Sequence, residues 1–465
     1  MPAHSHDHGA PAADAPVDPA AAARRRSAVR FMLWFLVPVA VATVAGLVLL
    51  WPGSSQSAAG RAAEQFLPPG TSYPQATVVQ LTEQDCTSDA TAGPPQTCAT
   101  AVMVVDDGPS AGDHVQVELS SDVVASGVQV GDELVLSRQL DGDSGQPTYA
   151  FQDFPRGTPI VVLALVFALL VGAVARLRGL LALVGLGFAF AVLLKFVLPG
   201  VLAGESPVWV TLVGSAAIMF VVLYLAHGFS ARTTTALVGT LFGLGISAAL
   251  GAVAVSVAHL TGFSSDETTQ LLQYDPTLDF SGLVLAATVV ATLGVLNDVT
   301  ITQASAVWQL HEADPRTGWR TLFARGMAIG RDHIASTVYT LVFAYAGAAL
   351  PLLLLFEVYQ RPFWSVLTGM QVGEEVIRTL VGGIALVLAV PVTTVIGALV
   401  AAAATATSTP PEPEPTAEEQ AAEREAQRRR ERLRAMREAA SGGPQTQGLP
   451  ARGPGVPPPG RPPAR

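Results

Sequence analysis

The feature that most constrains this chain is a series of long apolar stretches. One covers Phe31–Trp51, 21 residues without a charge, and seven more follow before residue 404. About 20 helical residues cross a bilayer core of about 30 Å, and a helix satisfies its own backbone hydrogen bonds there. The sequence therefore predicts a membrane α-helical bundle of about eight transmembrane helices. The seven later spans are predicted at 159–175, 179–198, 207–227, 234–259, 281–301, 335–356 and 380–403.

The low content of charged residues indicates that the chain lies in a lipid bilayer. Only 14% of the 465 residues are charged and the net charge is −10, whereas soluble domains carry about 25% charged residues. An acidic balance excludes a typical nucleic-acid-binding protein. The chain has no P-loop, no H-E-x-x-H and no G-x-S-x-G motif, so we expect no ATP-driven pumping, no enzymatic activity and no cofactor.

The two ends of the chain are predicted to be disordered and cytoplasmic. Residues 1–30 are rich in Ala and Pro, and residues 405–465 are rich in Pro and charge, which are compositions that do not bury a core. Residues 416–440 form a charge-dense candidate helix. The tail is either a solvated extension or a contact to anionic lipid or a cytoplasmic protein. His4, His6 and His8 either bind a metal or belong to a polar end.

A polar, acidic segment at 52–158 separates the anchor at 31–51 from the seven-span block at 159–404. Its short alternating runs predict strands, and Gly-Asp pairs precede two of them as turns would. We therefore expect a small β-rich domain, a barrel or sandwich that could be OB-like. The predicted strands are Ala76–Leu81, Ala99–Val105, His114–Leu119, Glu133–Leu136 and Thr148–Phe151.

Charge placement predicts how the bundle sits in a bacterial plasma membrane. Cytoplasmic loops carry excess Lys and Arg, so the arginines before the first span place the N-terminus inside. Every later short loop agrees, with arginines on one side and acidic residues on the other. Both termini are then cytoplasmic, and residues 52–158 are extracytoplasmic. The arginines that carry this prediction are Arg24, Arg25, Arg26, Arg30, Arg176, Arg178, Arg232, Arg316, Arg320, Arg325 and Arg331.

The two cysteines, Cys86 and Cys98, both fall in the outer segment. An oxidising compartment permits a disulfide between them, and the alternative is two free thiols. A metal site is not predicted because this loop offers too few ligands.

Polar residues stand out within the apolar spans. In the sixth, Asp298 and Thr302 share a helix face, with Asn297 beside them. A charge within the bilayer costs about 2.5–3.5 kcal/mol, so it normally faces a cavity or a partner.

In the fifth span, Gly239 and Gly243 form a GxxxG pair, which indicates either helix packing or a flexible transport helix.

The seventh span begins with Arg331, Asp332 and His333, and Ser336 and Tyr339 continue the face of Asp332. If the polar stripes of the sixth and seventh spans face each other, two carboxylates, a basic group and hydroxyls form a candidate site for substrate or ion coupling. The alternative is a salt-bridged helix junction, for example between Arg331 and Asp298.

The stretches LGVLNDVTITQASAVWQLHEADP and GRDHIASTVYTLVFAYAGAALPLLL, with the anchor, outer domain and seven-span block, resemble the YibE/F-like family of bacterial membrane proteins. The resemblance covers roughly residues 70–405. Asn297-Asp298 matches the family's motif in the sixth span, and Gly330-Arg331-Asp332 matches its Gly-Arg-Asp motif. The resemblance implies a multi-pass plasma-membrane protein with a supposed permease-like role and no settled substrate.

Two functions remain open at this point. The first is a secondary transporter or permease for an ion or small solute, which uses the paired carboxylates Asp298 and Asp332. The second is a non-transporting scaffold or envelope sensor, in which the outer β-domain meets an envelope protein and the tail recruits a cytoplasmic partner.

Overall fold

The computed structural model describes residues 19–53, 70–86, 96–141 and 144–405. Several sequence predictions lie outside these residues: the histidines near the N-terminus, the disorder of residues 1–18, the candidate helix at 416–440 and the tail after 405.

The predicted β-rich segment is confirmed as a small five-stranded antiparallel sheet. Its spatial order is β3-β2-β1-β4-β5, and the two edge strands, β3 and β5, contact each other. A one-turn helix, α2, connects β3 to β4. The strands are β1 Gln75–Asp85, β2 Thr97–Val105, β3 His114–Leu119, β4 Glu133–Leu140 and β5 Pro147–Asp153, and α2 is Ser121–Ala125.

Period-two alternation explains why these residues form the sheet. In β2 every second side chain is buried, from Ala99 to Val105, and these pack with the inward residues of the other strands. Gly112 and Gly131 precede β3 and β4 with φ of 90° and 99°, a conformation that favours glycine. A disulfide joins Cys86 to Cys98 with Cα atoms 5.7 Å apart.

Helices form the rest of the described chain. The long ones are apolar along most of their length, as transmembrane helices are. They are α1 Pro19–Leu49, α3 Gly157–Val192, α5 Pro207–His227, α6 Ala231–Val257, α8 Phe280–Ala313, α9 Trp319–Ala348 and α12 Met370–Thr405. The short ones are α4 Leu198–Leu202, which a π-helical turn at Leu193–Val197 joins to α3, α7 Asp266–Tyr274, α10 Leu350–Val358 and α11 Phe363–Leu367.

The number of spans differs from the predicted eight. Five described helices are long and apolar enough to cross a membrane, or six if α9 and α10, which meet at 62°, form one bent span. The predicted first span appears as a shorter apolar stretch, Leu33–Leu49. The predicted second and third spans fall within one stretch, Gly157–Leu202, of 46 residues. The difference from eight arises at these places, where one predicted span is shorter and two others share one stretch.

The stretch Gly157–Leu202 bends sharply at Arg176, whose backbone is non-helical with φ of 56°. A Cβ built on Gly172 would lie 3.2 Å from the Leu180 side chain. Residues eight apart in a straight helix are about 12 Å apart, so this contact requires the chain to fold back. The break falls between the two spans that the sequence predicted there.

Helix α1 begins at Pro19 rather than at Phe31. Residues 19–30, for which the composition predicted disorder, are therefore helical. The reason is local composition, because the run Ala20–Ala23 consists of the residue with the highest helix propensity.

The bundle core is formed mainly by α5, α6, α8, α9 and α12. Hydrogen bonds between α6 and α8 join Thr240 to Thr300 and Ser247 to Thr292, so these helices are antiparallel. Helix α12 runs parallel to α8. We call the end where α6 finishes and α8 and α12 begin the upper end of the bundle, and the opposite end the lower end.

Candidate functional site

Buried polar side chains follow the contact between α6, α8 and α12 through the apolar core. Each is at most 3% exposed. Buried hydroxyls and amides need hydrogen-bond partners. Along this contact the partners are supplied by the facing helices and by the helix backbone. We call this set the polar track: Thr240, Ser247, Thr292, Thr300, Gln303, Thr393 and Thr394.

The track contains two hydroxyl pairs between α6 and α8. In the lower pair the hydroxyl oxygens of Thr240 and Thr300 are 2.6 Å apart. In the upper pair the Ser247 hydroxyl donates to Thr292 Oγ1 at 3.1 Å. The two members on α6 are separated by seven residues, or about 11 Å along the helix. The core therefore has two polar layers at different heights.

An apolar layer separates these hydroxyl pairs. Gly243 of α6 lies against Leu296 of α8, and a Cβ on this glycine would be 2.6 Å from Leu296 Cδ2 and 3.3 Å from Ala389 Cβ of α12. Leu296 and Ala389 are fully buried. In this conformation the polar track is not a continuous pore.

Gln303 ties three helices together below the lower hydroxyl pair. Its amide nitrogen donates to the Gly326 carbonyl of α9 and to Thr394 Oγ1 of α12, each at 2.8 Å. Gly326 and Gly330 give Gln303 room, because a Cβ on Gly330 would be 3.0 Å from its amide oxygen. Small residues at this spacing allow close helix approach.

A charged cluster lies at the upper end of the bundle, on the first turns of α12. Arg378 pairs with Glu374 at 3.1 Å and with Glu375 at 2.6 Å, and Glu374 is buried. Two carboxylates around one guanidinium leave this cluster with a negative balance. Such a balance favours a cation at this end.

Residues of the charged cluster line two cavities. A small one has Arg378 and Thr292 among its lining residues, so the cluster and the upper hydroxyl pair share a wall. A larger one of about 750 Å³ is lined mostly by apolar side chains of α9 to α12, with Tyr345, Glu375 and Thr379 among them.

On α8, the structure places the sequence-predicted residues at the edge of the track. Asp298 and Thr302 are exposed. Asn297 is half-buried, its carbonyl accepts from the Thr300 hydroxyl at 3.3 Å, and its side-chain Oδ1 is buried without a hydrogen-bond partner among the described residues. Asn297 therefore lies between the exposed carboxylate and the buried lower pair.

On α9, Arg331, Asp332, Ser336 and Tyr339 are all exposed. His333 is half-buried, and its Nε2 atom is buried with no partner in the described part of the chain. Among the residues that the structure describes, no ion pair joins Arg331 to Asp298 or to Asp332. The salt-bridged junction that the sequence left open is not formed here.

Helix register brings these α8 and α9 residues to one height. The bond from Gln303 to Gly326 joins two antiparallel helices. Asp298 and Arg331 are each five residues above that bond, or about 7.5 Å along their helices. Asn297 lies one residue higher and His333 two residues higher, and Asn297 contacts Thr300 of the lower hydroxyl pair. These four residues therefore lie within about 3 Å of one height, although the two charged ones, Asp298 and Arg331, are exposed.

Comparison with known protein families gives a match. The YibE/F-like protein family matches residues 163–403, which is more than half of the chain. The chain belongs to the YibE/F-like protein family. Neither curated proteins nor solved structures provide a match. The YibE/F-like region contains the whole polar track and the charged cluster, whereas α1 and the β-sheet lie outside it.

Sequence reasoning missed the track residues of this YibE/F-like region that pack inward. It selected the α8 face of Asp298 and Thr302, yet the buried polar face carries Thr300 and Gln303. One signal could have identified it: Gly326 and Gly330, four residues apart on α9, mark the surface that lies against Gln303.

Proposed function

We propose that this chain is a permease that moves a small cation or cationic solute along the polar track. The observation that carries the proposal is that two buried atoms, Asn297 Oδ1 and His333 Nε2, have no hydrogen-bond partner among the described residues. An unsatisfied buried polar atom is costly in a bilayer. A passing ion, solute or water that contacts these atoms offsets that cost.

The chemistry follows from the groups at each height. Hydroxyl and amide oxygens replace water around a dehydrated ion, and a nearby carboxylate attracts a positive charge. In this proposal Asp298 and Asp332 supply that charge at the exposed surfaces of α8 and α9, near the height of the lower pair, and Glu374 and Glu375 supply it at the upper end. The apolar layer at Leu296 keeps the two sides separate. Transport then requires alternate opening above and below this layer.

The outer segment and the sidedness belong to the same proposal. We infer that both termini are cytoplasmic and that the β-domain, with its five strands and intervening helix α2, is an OB-like extracytoplasmic module. The positive-inside distribution of arginines supports this orientation. The fold-back at Arg176 supports two spans within Gly157–Leu202, since 46 helical residues measure about 69 Å against a core of about 30 Å.

Neutralising the two aspartates tests the permease. Asp298→Asn and Asp332→Asn are each expected to reduce flux at least about tenfold, since a hydrogen bond to a charged group contributes about 1.5–3 kcal/mol and 1.4 kcal/mol is tenfold. The measurement uses purified protein in proteoliposomes, with Na⁺, K⁺, H⁺ and small organic ammonium ions as candidate substrates.

Glu312→Gln is the matched control for this experiment. Glu312 is an exposed carboxylate on the last turn of α8, away from the polar track, so its neutralisation should leave flux unchanged. Wild-type rates in both aspartate variants would contradict the proposed role of the carboxylates. If deletion of the outer domain leaves flux unchanged, transport does not need this domain, whereas the sensor alternative requires it.

Labelling tests the orientation. Asp113→Cys places a thiol in the turn before β3, and a membrane-impermeant maleimide is expected to react with it from outside intact cells. A reporter fused after residue 405 is expected to be active only in the cytoplasm. A thiol at 113 that reacts only after the membrane is broken, or an external reporter, would show that the orientation is wrong.

A further inference from the structure

We propose that one end of the β-domain is a binding site for a small oxyanion, held by Arg138, Tyr149 and Ser72. The sheet register brings these residues together. Arg138 of β4 is directly opposite Tyr149 of β5 and, on its other side, opposite Ser72. Side chains of directly opposed residues project to the same face, with Cβ atoms about 4.5–5.5 Å apart. The three therefore form one row across the sheet.

This row continues the inward face of the domain. Leu134 and Leu136 are fully buried, and Arg138 is the next residue of β4 with the same orientation. Tyr149 packs its ring against the same core. A guanidinium at the end of an apolar core is costly to desolvate unless its charge is balanced.

No carboxylate balances Arg138 among the described residues. Its Nε donates to Ser110 Oγ at 3.3 Å and its Nη1 donates to the Gly70 carbonyl at 3.2 Å. Both acceptors are neutral. Residues 52–158 contain fourteen acidic and three basic side chains, so an arginine without an acidic partner is unexpected in this domain.

The number of hydrogen-bond donors without a partner indicates the chemistry of the ligand. An arginine offers five N–H donors, and Arg138 uses two of them. The hydroxyls of Tyr149 and Ser72 are both buried with no hydrogen-bond partner in the part of the chain that the structure describes. Three guanidinium donors and two hydroxyls at this place thus have no protein acceptor among the residues that the structure describes. A ligand that only accepts, such as a carboxylate or a phosphate oxyanion, complements this set.

Calorimetric titration of the full chain in lipid nanodiscs tests the site. Inorganic phosphate and acetate are titrated separately, at constant ionic strength set with NaCl, to distinguish the two oxyanion types. We expect at least one of them to bind, and Arg138→Gln to weaken its binding at least about tenfold. Tyr149→Phe keeps the ring in the core and is expected to weaken binding several-fold.

Arg156→Gln is the matched control. Arg156 lies in the same outer segment but is exposed and pairs with Asp153 at 2.7 Å. The Phe154 N–H and Arg156 hold the pKa of Asp153 below its usual value, so this arginine already has a charged partner. Binding should be unchanged in this variant.

Two results would overturn the proposal. If the wild-type protein binds neither phosphate nor acetate, water satisfies the five donors and there is no oxyanion site. If Arg138→Gln binds as tightly as Arg156→Gln, the anion lies elsewhere. Should Arg138→Gln fail to fold, as judged by gel filtration, unchanged binding by Tyr149→Phe and Ser72→Ala would equally refute the site. These outcomes are independent of flux, so they also differ from a failure of the permease proposal.

Discussion

Flux through Thr300→Val is expected to be about tenfold below that of the wild-type protein, while the variant stays folded. Valine has the shape of threonine, but it removes the hydroxyl oxygen that meets Thr240 at 2.6 Å. Loss of one polar contact to a passing ion costs on the order of 1.5–3 kcal/mol, which is tenfold or more. Folding should tolerate the change, because the Thr240 hydroxyl keeps the Ala236 carbonyl as an acceptor at 3.0 Å.

Thr302→Val is the control for this prediction. It makes the same chemical change two residues later on α8, where the side chain is exposed. Flux in proteoliposomes should match the wild-type rate, and the unfolding temperatures of both variants should agree within a few degrees. Equal flux in Thr300→Val and Thr302→Val would exclude the lower hydroxyl pair from the transport path.

The second large effect is expected in stability. Gly239→Ala should lower the free energy of unfolding by about 1–3 kcal/mol, because overpacking a core has this cost. A Cβ at this position would overlap Thr393 Oγ1 and lie 3.1 Å from Thr393 Cβ. Thr393 is fully buried and donates to the Ala389 carbonyl at 2.8 Å, so it cannot move away without losing this bond. Thermal unfolding of the protein in detergent measures the change.

Gly245→Ala provides the comparison on the same helix. Gly245 is exposed, and no atom lies within 4 Å of a Cβ built there. Alanine also has a higher helix propensity than glycine. The unfolding temperature should therefore be equal to or above that of the wild-type protein. If both alanine variants unfold alike, close packing of α6 against α12 is not needed for stability.

Local patterns were enough to predict the sheet. The alternation from Ala99 to Val105 and the turns at Gly112 and Gly131 depend on neighbouring residues, and these features determine where strands begin and end. The membrane character of the helices was predictable for the same reason, since 20 apolar residues are a local property.

The candidate site was only partly predictable, because a single helix does not reveal which of its faces meets its neighbours. Asp298 and Thr300 are two residues apart and lie on opposite faces of α8, and the tertiary packing of α6 and α12 alone selects Thr300 for burial. Hydropathy also does not show whether a helix is straight, bent or broken. The predicted separation of two spans coincides with the break at Arg176, but hydropathy did not predict the 62° bend after Ala348.

The face of α6 that meets α8 and α12 has a repeat with its own consequence. Gly239, Gly243, Ser247 and Gly251 recur every four residues, and each contacts a side chain of the neighbouring helices. Successive members of this repeat are four residues, or about 6 Å, apart along the helix axis, and small side chains at this spacing let helix backbones approach closely. Helix α6 therefore fits its neighbours in one register, because a shift by one four-residue step would place Ser247 at the position of Gly243 or Gly251, where even a Cβ would lie within 3 Å of a leucine side chain.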